Sequence, residues 1–173
     1  HDVSLSASGN EIAVGAYYND SSGNDSGAVR VFDWDSTLGE WNQLGASLEG
    51  IATGDRFGEA VWLSGDGKML AVGASHSDVL RSNGGRVSLF NWDEENLVWN
   101  PIGQDLLGQR EQGLFGKTVV VARDSKTVAI GAPVDFYTNT GAVGTVSVYE
   151  YGSASTAQSV NESTVRLDVL ARN

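Results

Sequence analysis

Imidazole chemistry in this chain of 173 residues rests on two histidines, His1 and His76, and there is no cysteine for thiolate or disulfide chemistry. A nucleophilic triad would have to run through one of them, and no serine beside either stands out. No His-Glu-x-x-His zinc pair, Gly-x-Ser-x-Gly elbow or complete phosphate loop occurs. Carboxylate pairs such as Asp20/Asp25 and Asp33/Asp35 carry little signal in a chain with 22 acidic residues. Asp20 and Asp25, with Asn19, Asn24 and nearby serines, are weak calcium candidates. Calcium takes six or more oxygens and the spacing fits no defined loop, so solvated turn residues are the plainer reading. Asn19, Asn24 and Asn161 head Asn-x-Ser sequons, which makes them candidate glycosylation sites. The expectation from these residues is no enzyme and no resident cofactor.

The net charge of −11 excludes nucleic acid, whose partners cluster Lys and Arg, and weighs against anionic membrane surfaces. Glycine is abundant (22) and proline scarce (2), which suits many short strands and tight turns. No apolar run approaches the roughly 18 residues needed to span a bilayer.

Whatever positions the candidate residues is repeated. Val14-Gly15-Ala16, Val72-Gly73-Ala74 and Ile130-Gly131-Ala132 are spaced by 58 residues. Phe57-Gly58 and Phe115-Gly116 follow the same interval, as do Phe32/Phe90, Trp34/Trp92, Trp41/Trp99 and Gly45/Gly103. In the third copy the register slips by one, so Val146, Val148 and Tyr149 stand where Val87, Leu89 and Phe90 stand in the second. Each copy reads as four strands: in the second, Ala60 to Ser64, Met69 to Ala74, the alternating Arg86 to Trp92, and a weaker run within Val98 to Leu107. The fold class expected is all-β, with about three four-stranded antiparallel sheets of ~58 residues, stacked as β-propeller blades within a larger closed propeller. The blades fall at about 1–58, 59–116 and 117–151. Residues 152–173 read as a linker leading to a candidate final strand.

The recurring tryptophans read as packing between blades. Trp62 has no aromatic counterpart and is the candidate for an exposed, sugar-stacking ring. The loops between second and third strands vary most and share one end of the blades. They make Tyr17, Tyr18, Asn19, Asp20, His76, Asp78, Asp135, Phe136 and Tyr137 candidate partner-binding residues.

The pattern Phe57-Gly58…Gly73-Ala74, and Phe115-Gly116…Gly131-Ala132-Pro133, resembles the FG-GAP repeat of integrin-α-type propellers. It is similar above all to tandem repeats in large surface proteins of marine bacteria and stramenopile algae. The resemblance covers roughly residues 2–151. It implies a multi-bladed propeller used outside the cell for adhesion or protein contact. The family's calcium loops do not carry over, because Ala7-Ser8-Gly9-Asn10, Gly65-Asp66-Gly67-Lys68 and Arg123-Asp124-Ser125-Lys126 are short and hold at most one carboxylate.

The expectation is therefore a non-enzymatic extracellular or cell-surface module. Its partner would be a protein or further blades of a longer chain, with self-association when isolated. The alternatives are a propeller accompanying a hydrolase in a longer chain, or a glycan-binding module.

Overall fold

The computed structural model describes residues 2–122, 126–133 and 144–150, and the backbone of 161–166. Among these the chain is all-β, in three antiparallel sheets. The first sheet holds β1 (Asp2–Leu5), β2 (Glu11–Ala16), β3 (Ala28–Asp35), β4 (Glu40–Gln43) and β5 (Leu48–Glu49). The second holds β6 (Ala60–Leu63), β7 (Met69–Ala74), β8 (Arg86–Asp93), β9 (Val98–Pro101) and β10 (Leu106–Leu107). The third holds β11 (Thr118–Val121), β12 (Thr127–Ala132), β13 (Thr145–Glu150) and β14 (Asn161–Arg166). Registers repeat with the sequence: Val3 pairs Val14, Val61 pairs Val72, and Val119 pairs Ile130. The one-residue slip is visible too, since Gly73 pairs Val87 whereas Gly131 pairs Val146.

The fourth strand differs from the single run expected. It is two pieces, β9 and β10, both on β8. Four residues (102–105) separate them while β8 advances by two, so the extra residues bulge outward. In the third sheet the last alternating run docks as β14, with Thr145 opposite Arg166.

Successive sheets meet through backbone as well as side chains. The Phe-Gly segments dock on the preceding blade by parallel bridges, Gly27 to Phe57 and Gly85 to Phe115. Each then turns into its own blade, with Gly58 N–H donating to the Gly73 carbonyl (3.0 Å) and Gly116 N–H to that of Gly131 (3.1 Å). One apolar cluster fills each boundary. Phe57, Val61, Leu63, Leu70 and Val72 pack between first and second sheets. Ala60, Met69, Ala71, Phe115, Val119 and Val121 pack between second and third. The alternation of β7 thus serves two cores at once, which buries it on both faces. Phe57 meets Phe90 edge-on at 6.4 Å, and Phe115 meets Tyr149 likewise at 6.3 Å.

Two expectations about tryptophan change here. Trp62 is half-buried against the second cluster, so it is not an open stacking platform. The Trp92/Trp99 pair packs over Gly45 of the first blade, where an added Cβ would lie 2.8 Å from Trp92, and Trp99 Nε1 donates to the Leu44 carbonyl. Among the described residues the equivalent pair Trp34/Trp41 has no such neighbour. Val3, Leu5 and Trp41 are 60%, 56% and 43% exposed, against 3%, 2% and 7% for Val61, Leu63 and Trp99. Equivalent residues that are buried one blade later form an apolar face open to water. We expect the isolated chain to self-associate through this face. Sedimentation should show mass rising with concentration, and the Val3→Lys/Leu5→Lys variant should abolish the rise. A concentration-independent monomer for the unaltered chain overturns this.

Candidate active site

The end of the blades that carries the variable loops gathers residues from three copies. Glu59 immediately precedes β6, directly after Phe57-Gly58, and Lys117 occupies the same place before β11, 58 residues later. Ser75 and His76 follow the end of β7. Arg56 sits on the segment crossing the first blade, with its N–H donating to the Asp25 carbonyl (3.1 Å). Its backbone φ is +58°, and the equivalent Leu114 has +54°, so the repeat itself imposes this conformation.

The side chains form one directed chain of hydrogen bonds. Arg56 Nη1 lies 3.1 Å from His76 Nε2. A guanidinium cannot accept, so Nε2 accepts and the imidazole proton sits on Nδ1. Nδ1 is 3.0 Å from Ser75 Oγ and 3.5 Å from Glu59 Oε2. Ser75 in turn donates to Glu59 Oε2, and Lys117 Nζ donates to Glu59 Oε1. Ser75 and Glu59 are buried, whereas His76 and Lys117 are partly open to solvent. The Arg56 guanidinium also lies 5.7 Å above the Tyr18 ring, which stacks at a tilt on Tyr17 (4.0 Å).

These contacts set the charge states. Burial pushes the Glu59 carboxyl up, but the hydrogen bonds from Lys117 and Ser75 outweigh it and hold the group below the ordinary carboxylate range. Burial pushes His76 down from 6.5, and the Arg56 charge adds to that effect. At neutral pH the site is therefore a neutral imidazole backed by a carboxylate, with its Nε2 turned toward a guanidinium. That is the layout of a general base beside an electrophilic donor.

A second buried network supports the first. Arg86 Nη2 pairs with Asp55 Oδ2 (3.3 Å) and Nη1 with Asp105 Oδ2 (3.1 Å), while Ser88 Oγ donates to Asp105 Oδ1 (2.6 Å). Asp55 immediately precedes Arg56, so this network fixes the backbone from which Arg56 reaches His76.

Of the loop residues picked out from sequence, Tyr17, Tyr18 and His76 belong to the cluster. Asn19, Asp20 and Asp78 do local backbone work. The Asp20 carboxylate accepts from Asp25 N–H and that of Asp78 from Asn83 N–H, closing the same turn in two blades. Asn19 Oδ1 accepts from Ser21 N–H. No group of three or more acidic, histidine or cysteine ligands forms among the described residues, so Asp20 and Asp25 are not gathered into a cation site. Asn24 is exposed. Asp135, Phe136, Tyr137 and the Asn161 side chain lie outside the described residues. Arg56, Glu59, Ser75 and Lys117 were not picked out. The signal was present, because the position after each Phe-Gly changes from Glu59 to Lys117, and that after each Gly-Ala from Tyr17 to Ser75 to Pro133, within an otherwise repeating frame.

No protein-family profile matches the sequence, and no curated protein is significantly similar to it. Solved structures share its fold. A candidate 6-phosphogluconolactonase from Bacteroides fragilis superposes with a TM-score of 0.58 at 16% identity, over 96% of this chain and 38% of that one. Sqt1 from Saccharomyces cerevisiae gives 0.54 at 12%, over 95% and 34%. The periplasmic gluconolactonase of Pseudomonas aeruginosa gives 0.51 at 14%, over 99% and 58%. The chain spans less than two thirds of the length of each. Two of these three are named as lactonases, which overturns the expectation of a non-enzymatic adhesion module. Apart from its neighbour Ser75, His76 draws its partners from positions that no linear motif joins. The fold these likenesses establish is that of β-propeller blades.

Proposed function

We propose that the chain contributes blades to a propeller that hydrolyses a lactone, with His76 as general base and Arg56 as the donor to the carbonyl. The observation that carries this reading is the alignment Arg56–His76–Ser75–Glu59, which leaves a neutral Nε2 facing a guanidinium. The lactonase names among structures of like fold support it. As Arg56 turns its N–H from Nε2 to the ring carbonyl oxygen, the freed Nε2 lone pair takes a proton from water and the water oxygen adds to that carbonyl. Arg56 holds the resulting oxyanion. When the intermediate collapses, the ring C–O bond breaks and the departing alkoxide takes the proton back from Nε2, giving the open hydroxy acid. Glu59, through Ser75 and at 3.5 Å from Nδ1, stabilises the transient imidazolium. We read the repeat itself as FG-GAP in type, supported by Phe57-Gly58…Gly73-Ala74 and Phe115-Gly116…Gly131-Ala132-Pro133.

The test is proton release from D-glucono-δ-lactone and its 6-phosphate in a pH-stat, corrected for spontaneous opening. His76→Ala should lower kcat by about 10²–10⁴-fold, the usual worth of a general base. Arg56→Met should cost about 10²–10³-fold. Because His76 sits below 6.5, kcat/KM should stay level as pH falls through 6.5 and drop only at more acid pH. The same depressed value means the unfolded chain takes up a proton before the folded one. Fold stability attributable to His76 is therefore full above 6.5 and is lost as pH falls from there toward the lower folded value. No turnover above background with either lactone, or turnover unchanged in His76→Ala, overturns the proposal.

A further inference from the structure

We infer that the substrate carries an anionic group, a phosphate ester or a carboxylate, and that Lys117 is the residue that selects it. This rests on the hydrolytic reading for its role but on separate observations for its chemistry. The chain has twice as many acidic as basic residues and a net charge of −11. At this one end Lys117 and the His76 ring converge on a single carboxylate, Glu59, while Arg56 meets the far side of the His76 ring. Arg56 has neutral partners only among the described contacts, the imidazole of His76 and the ring of Tyr18, and no carboxylate pairs with it among the described residues. Keeping a guanidinium without a carboxylate in so acidic a chain leaves a local positive site.

Lys117 supplies the grip. Its side chain is 39% exposed, and its ammonium has three N–H donors, of which Glu59 Oε1 takes one. Glu59 is buried and doubly anchored, so the ammonium head is held at the blade boundary with its other donors available to solvent. The repeat explains how the pair arises. Glu59 and Lys117 are the same blade position, and adjacent first strands bring that position face to face with its own successor. With glutamate in both copies the boundary would hold two like charges, whereas the change to lysine turns it into an anchored cation. The site's charge is then +1 with neutral His76, and an anionic substituent on a sugar-sized lactone would meet Lys117 while Arg56 faces the ring carbonyl.

Two arms test this, one of which needs no turnover. Isothermal titration with inorganic phosphate and with acetate should show phosphate or acetate binding that weakens steeply from 50 to 300 mM NaCl. The Lys117→Gln/Glu59→Gln variant, which retains a neutral hydrogen-bonding pair, should lose it about tenfold or more, while Lys117→Arg should keep it. Stronger binding of phosphate assigns a phosphate ester and stronger binding of acetate a carboxylate. In the kinetic arm, Lys117→Gln should raise KM for the 6-phosphate of gluconolactone about tenfold relative to KM for the uncharged lactone. Anion binding without hydrolysis keeps this inference and removes the lactonase reading. Hydrolysis with equal KM for both lactones, and no anion binding to the unaltered chain, removes this inference and keeps the other.

Discussion

Gly73→Ala should unfold the protein or come close to it. Gly73 lies in the middle of the second blade, on β7, with ordinary extended backbone, so the residue type is not demanded by φ. What demands it is the carbonyl oxygen of Gly116 on the next blade, which an added methyl would meet far inside contact distance. The opposing atom is backbone, and the same residue's N–H donates to the Gly131 carbonyl. Relief therefore requires the second and third sheets to part along a boundary filled by Met69, Ala71, Phe115 and Val119. Overpacking that cannot relax by a rotamer change should cost about 3 kcal/mol or more, a large share of the ~5–15 kcal/mol that holds a domain. Gly15 faces Gly58 in the same way and should behave alike. Gly39→Ala is the control. There φ is +70° and nothing lies within 4 Å of the new methyl, so only the left-handed backbone penalises it, by about 1 kcal/mol. Urea midpoints of the two variants measure the difference. A loss for Gly73→Ala no larger than for Gly39→Ala would show that the blades do not meet through these glycines.

That pair of glycines also marks what a reader of the sequence can and cannot extract. The 58-residue spacing of Gly15, Gly73 and Gly131 announces a repeated backbone constraint, and the alternation around it announces strands. The partner that imposes the constraint is a carbonyl from the next copy, which spacing alone does not locate. The same distinction explains the tryptophans. Trp41 and Trp99 are one position in two copies, yet Trp99 reaches Leu44 of the blade before it and Trp41 meets solvent. Repetition predicts equivalent positions, not equivalent neighbours. Trp62 erred in the opposite sense: lacking an aromatic counterpart it looked like a surface device, but the third blade covers it. The site was least legible of all, because Arg56, Glu59, His76 and Lys117 become neighbours only once three copies are laid side by side. Its trace in the sequence is variation at positions whose surroundings repeat.

Arg86→Met is the second substitution expected to have a large effect, and it bears on that site. Arg86 opens β8 opposite Ala74, where the first and third blades place Ala28 and Thr145. Only the middle blade commits a buried guanidinium there, under the ring of Phe57 at 5.7 Å and between Asp55 and Asp105. Burial already pushes the Asp55 carboxyl up, with Arg86 the chief influence pulling it back. Methionine fills similar volume but leaves Asp55 as a buried charge without its partner, which should cost about 3–5 kcal/mol at neutral pH. The deficit should shrink as pH falls, because a raised pKa means the folded state takes up the compensating proton more readily than the unfolded one. Adding Asp55→Asn to Arg86→Met removes the stranded charge and should restore part of the loss, and the double-mutant cycle measures the coupling. Since Asp55 adjoins Arg56, the single variant should also loosen the guanidinium from His76 and raise the imidazole pKa toward 6.5, readable by NMR titration of the His76 ring. A loss under about 1 kcal/mol, typical of an exposed pair, together with an unmoved His76 titration, would mean that Arg86 neither holds the blade boundary nor positions the base.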